Sequence, residues 1–135
     1  MNTVNHECYV SLEVAKLLKE AGFDWGVNTV YFMEYGGQFG CLDDTVVTHN
    51  TLTNSKITAP TLTVAQRWLR EVKNIDVVVL RAMQWIQFYY TVEHEENRTS
   101  KVDFMSLNED LWWFKYEEAQ EAGIKNALEL ILEKK

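Results

Sequence analysis

Apolar residues recur at helical spacing over three stretches of the chain. Leu12, Val14, Ala15, Leu17, Leu18 and Ala21 form the first stripe, with Lys16, Lys19 and Glu20 on its wet side. Ser11 is placed to cap it, since its hydroxyl can accept from a free backbone N–H of the first turn. Gly22 ends it by taking a left-handed conformation with little strain. Val64, Ala65, Trp68, Leu69 and Val72 form the second stripe, and Arg67, Arg70, Glu71 and Lys73 oppose them. Pro60 restricts Ala59 to an extended shape ahead of this helix. Thr61 or Thr63 caps it, with Thr63 and Gln66 at capping-box spacing, and Asn74 closes it. The third helix runs from about Tyr116 to Leu132. Gly123 inside it weakens the helix by up to about 1 kcal/mol against alanine, which predicts a close approach of helix to sheet.

Between these helices the pattern changes to strand material. Tyr31–Tyr35 and Gln38–Cys41 flank Gly36-Gly37, a two-residue hairpin signal. Residues 42 to 58 read as a loop with a short strand near Lys56–Thr58. Ile75 to Leu80 is a near-continuous aliphatic strand. Met83 to Val92 alternates, with Ile86, Phe88, Tyr90 and Val92 on one face and Trp85, Gln87, Tyr89 and Thr91 on the other. Glu93 to Lys101 reads as a charged loop, and Val102–Met105 and Leu111–Tyr116 as short strands. The expectation is an α+β protein, with residues 1–135 as a single domain. It has one antiparallel sheet of about five strands and three helices packed mainly on one face.

A chain of 135 residues that is 47% apolar can bury a sizeable core, so global disorder is excluded. Thirteen basic residues stand against 20 acidic ones, for a net charge of −7. That balance argues against direct nucleic-acid binding, because phosphates are neutralised by Lys and Arg. Most of the charge lies between Glu93 and Glu121, where nine acids meet three bases. Met1–Val10 has neither the basic nor the apolar part of a signal peptide. No apolar run approaches the roughly 20 residues that cross a bilayer. The two cysteines, Cys8 and Cys41, read as reduced thiols. The expected location is the cytoplasm, with no membrane contact.

Three blocks carry a resemblance: CYVSLEVAKLLKEAGFD from Cys8, TAPTLTVAQRWLREVKNI from Thr58, and YEEAQEAGIKNALELI from Tyr116. In this order they resemble a set of small phage- and prophage-type proteins of gut Bacteroidetes. The likeness covers the three helices and their caps, somewhat under half the chain. No activity, cofactor or catalytic residue belongs to that group. The resemblance therefore implies a mobile-element origin and a cytoplasmic location, and transfers no site.

Catalytic and metal chemistry find little footing. His6-Glu7-Cys8, His94-Glu95-Glu96, His49 and Cys41 are ligand types, but they lie in separate segments without C-x-x-C or H-E-x-x-H spacing. Solvated loop residues account for them. Cys41 could be paired with His49 on paper, and a small buried thiol explains it more simply. No serine sits in G-x-S-x-G, and Gly36, Gly37 and Gly40 match no phosphate loop. No catalytic residue, metal or cofactor is expected.

The aromatic residues are the strongest functional signal. If helices cover one sheet face only, Trp85, Tyr89 and one of the consecutive Trp112 and Trp113 remain on the open face. Large exposed rings mark contact sites. The leading expectation is a non-enzymatic phage or mobile-element accessory protein that works through protein–protein contacts, by self-association or with another protein. Two alternatives stand beside it. One is an acidic decoy that inhibits a host nucleic-acid-binding protein. The other is a small-ligand-binding domain or enzyme, which would need a pocket lined by convergent polar groups.

Overall fold

The computed structural model describes residues 9–27, 29–33, 36–41, 56–82, 87–96, 99–105 and 113–133. The expected loop over 42–55 lies outside them. Helix α1 spans Leu12–Ala21, followed by strands β1 (Thr29–Phe32), β2 (Gln38–Cys41) and β3 (Lys56–Thr58). Helix α2 spans Leu62–Val72, followed by strands β4 (Ile75–Arg81), β5 (Phe88–Glu96) and β6 (Thr99–Met105), and helix α3 spans Tyr116–Glu133. The chain divides into two compact units, Met1–Ala65 and Gln66–Lys135, with the division falling inside α2.

In the first unit, Ser11 caps α1 by accepting from the Val14 amide at 3.3 Å. Gly22 follows the helix with φ 97°, and the Phe23 amide donates back to the Leu18 carbonyl at 2.9 Å. These bonds serve groups that a helix end leaves without internal partners. β1 is the centre of a three-stranded antiparallel sheet, in the order β2-β1-β3. α1 lies against β3. Thr29 Oγ1 donates to the Ala59 carbonyl and the Ala59 amide donates to the Thr29 carbonyl, so the chain is held beyond the last residue of β3.

In the second unit, β5 is the centre of another three-stranded antiparallel sheet, in the order β4-β5-β6. α3 packs on β4 and β5. A Cβ on Gly123 would stand 2.5 Å from Val77 Cγ1 and 3.0 Å from the Tyr90 ring. The helix therefore approaches the sheet more closely than a side chain there would allow. Gln120 is buried beside this contact in sequence; it donates to Gln66 Oε1 at 2.8 Å, and Gln66 Nε2 donates to the Val77 carbonyl at 2.5 Å. Buried amides are thus satisfied in series.

The α+β class agrees with the sequence reading, but the expected single sheet of about five strands does not. Among the described residues there are two sheets of three strands. The physical reason lies in the pairing. β1 spends both of its edges on β2 and β3, and β5 spends both of its edges on β4 and β6. α1 lies against the first sheet and α3 against the second. The stretch from Glu93 to Lys101, expected as a loop, instead extends β5 to Glu96 and starts β6 at Thr99. Of the strand expected over Leu111–Tyr116, the described part is one bridge from Trp113 to Phe88.

Candidate interaction surface

Register sorts the side chains of the second sheet. Val77 pairs with Val92, Val79 with Tyr90 and Arg81 with Phe88. Directly paired residues project to the same face. This is the α3 face, since Gly123 meets Val77 and Tyr90, and Phe88 packs edge-on against Tyr116 at 5.8 Å. The opposite face carries Val78, Leu80, Tyr89, Thr91 and Glu93, joined from β6 by Met105 opposite Thr91 and Val102 opposite Glu93.

The expected contact set is Trp85, Tyr89 and one of the consecutive Trp112 and Trp113, and among the described residues one of these falls on that opposite face. It is Tyr89, which is half-buried. Trp113 exchanges both backbone hydrogen bonds with Phe88 at 2.7 and 2.9 Å, which turns its ring to the α3 side. There it lies 5.7 Å from the ring of Tyr90, itself stacked on Phe104 at 5.6 Å. Tyr89 and Trp113 are therefore on opposite faces. Trp85 and Trp112 lie outside the described residues.

The two outer edges of this sheet differ. At β4, the C-terminal half of α2 supplies side chains: Gln66 bonds the Val77 carbonyl, and Arg70 lies 4.0 Å from Asp76. α2 thus reaches this edge through two side chains. β6 has no strand on its outer side among the described residues. It also keeps Val102 55% and Met105 37% exposed, and Lys101 and Asp103 are exposed beside them. Phe114, just before α3, is 75% exposed.

The strand expected over Val102–Met105 is the second part of β6; the end of β5 and the start of β6 were not expected, because charges at Glu93, Glu95, Glu96, Arg98 and Lys101 read as loop. The signal that could have extended this strand back to its start is the β-forming Thr99, three positions after the end of β5. An exposed edge strand tolerates charge because half of its side chains meet water.

Polar contacts on β5 and β6 are specific. His94 Nδ1 and Asp103 Oδ2 are 2.8 Å apart across the two strands, and Thr91 Oγ1 donates to Glu93 Oε2 at 2.6 Å. The two pairs are on opposite faces, because His94 and Glu93 are consecutive in the strand. No group of three or more His, Cys, Asp or Glu that could hold a metal occurs among the described residues. Of the metal-ligand types weighed above, His6, Glu7, Cys8 and His49 lie outside those residues.

The environment of the Tyr90 phenol moves its ionisation clearly. Burial, with the Glu129 carboxylate adding to it, pushes the group up from 10.0 to about 12. The folded state then holds this proton more tightly than the unfolded state. Its contribution is complete below pH 10 and disappears as pH rises through 12, at most about 2–3 kcal/mol. Denaturation between pH 9 and 12 should therefore show a falling limb that Tyr90→Phe flattens. An unchanged limb in that variant would assign the loss to other groups.

Comparison of this chain with family models, with curated proteins and with solved structures finds no match. Among the described residues, no helix is long and apolar enough to cross a membrane.

Proposed function

We propose that this protein is a non-enzymatic accessory protein of a phage or integrated element, acting in the cytoplasm by binding another protein molecule. Its contact surface is the β6 side of the second sheet, with Tyr89, Val102 and Met105 on one face. One observation carries this reading: β6 has no strand on its outer side among the described residues, and it keeps a β-branched and a thioether side chain in water. Apolar groups exposed beside an unshielded strand favour the addition of another chain, which removes both the apolar area and the open backbone groups from water.

A photo-crosslinking residue placed at position 102 or 105 tests the surface in cells of the host. Covalent adducts are expected at both positions, and none at the exposed control positions Lys16 and Glu117. The absence of any adduct at 102 and 105, with the protein folded, would reject the surface. The mass of the adduct reports whether the partner is a second copy or another protein.

A further inference from the structure

We infer that β6 pairs edge to edge with β6 of a second copy, antiparallel and centred on Val102. This rests on the reading of the β6 side as the contact surface, and adds the partner and the register. Residues opposite each other in an antiparallel pair share a face; on the His94 face β6 carries Thr99, Lys101, Asp103 and Phe104, and with Phe104 stacked on Tyr90 the partners for Lys101 are Thr99, Lys101 or Asp103. Centring on Lys101 sets lysine against lysine, and centring on Asp103 sets aspartate against aspartate. Like charges directly opposite each other are unfavourable. Centring on Ser100 gives Lys101 only a threonine and leaves Val102 outside the middle of the ladder.

Centring on Val102 sets Lys101 of each copy across from Asp103 of the other, and Val102 across from Val102. Two-fold symmetry makes both ion pairs at once, as an isologous interface requires. His94 holds Asp103 Oδ2. A carboxylate accepts at both oxygens, so Oδ1 is the atom that meets the second copy's ammonium group. Asp103 is the extra residue that β6 carries opposite Val92 and Glu93; it bends the strand there, so the ladder between copies ends at Asp103 and does not continue to Phe104. The exposed ion pairs add little affinity and select the register; the backbone bonds and the two valines supply the attachment. The product is a six-stranded sheet with both copies of α3 on one face.

Sedimentation of the full chain tests this. The wild type should be a dimer. Lys101→Asp and Asp103→Lys should each weaken self-association by about tenfold or more, since each sets like charges opposite at two symmetric positions. An equimolar mixture of the two variants should recover the dimer, because one supplies two acids and the other two bases. A monomeric wild type at several hundred micromolar concentration, or variants that dimerise unchanged, would overturn the pairing.

If Asp103→Lys does not fold, Val102→Cys in a chain with Cys8→Ser and Cys41→Ser keeps the question open to test. Opposed Cα atoms about 4.5–5.5 Å apart allow a disulfide. Oxidation should link two copies of this variant through position 102, and Glu117→Cys in the same background should not link. Absence of that link would reject the register. A monomeric wild type that still crosslinks to a different protein from position 102 would reject self-pairing alone; no adduct at all would reject the contact surface as well.

Discussion

Trp68→Ala should lower the unfolding free energy by about 3–5 kcal/mol, read from urea denaturation with the wild type as reference. The indole is 1% exposed on α2, and the Lys73 ammonium lies 5.5 Å from its ring centre. Truncation removes the transfer free energy of the largest fully buried side chain and leaves a cavity that packed neighbours fill only in part. The lost cation–π contact adds about 0.5–1 kcal/mol, which places the total toward the upper end. A second consequence is local. α2 also carries Gln66 and Arg70 along the β4 edge. A loosened α2 frees the Val77 carbonyl on that edge, so the variant should aggregate at temperatures where the wild type remains dispersed. A loss below about 1.5 kcal/mol would show that the ring is not a principal element of the core.

Gly123→Val should destabilise the protein by about 3 kcal/mol, and Gly123→Ala by less. Alanine is the better helix former, by about 1 kcal/mol, so propensity alone predicts that Gly123→Ala stabilises. Packing opposes it. The new carbon would lie 2.5 Å from Val77 Cγ1 and about 3 Å from two atoms of the Tyr90 ring. Neither neighbour yields readily: Val77 is a buried β-branched residue with a restricted χ1, and Tyr90 is wedged between Phe104 and Trp113. α3 must then lift from the sheet, which also stretches the Gln120–Gln66–Val77 hydrogen-bond series. Thermal denaturation of the two variants decides between the effects. A higher melting temperature for Gly123→Ala would mean that α3 moves aside freely.

The helices were legible because their signals are local. Ser11, Gly22, Thr61 and Asn74 act on backbone groups within a turn of themselves, and the structure uses each as a terminus. Of the two threonines that could cap α2, it is Thr61 whose hydroxyl accepts from the Val64 amide. The glycine inside α3 also signalled a close approach to a sheet, because its weak helix propensity asks for a packing reason. Residues around the candidate surface were less legible. Charges from Glu93 to Lys101 suppressed the strand reading, although β5 and β6 run through them as a paired ladder. Charge reports exposure to water, and an exposed strand face is as wet as a loop.

The aromatic side chains mark the same boundary. Alternation along one strand placed Tyr89 and Tyr90 on opposite faces, and they are so placed. It could not say which face Trp113 would join, because that depends on pairing with Phe88, 25 residues earlier in the chain. The sequence by itself determined the helices, their caps and the alternation within each strand, since these follow from dihedral preferences and side-chain spacing over a few residues. Only the tertiary structure decided that the described strands form two sheets, that Gln66 bonds a carbonyl of β4, and that β6 is left with apolar groups in water. Those outcomes rest on which distant segments lie side by side, and that is set by packing and backbone pairing across the chain rather than by any local stretch of it.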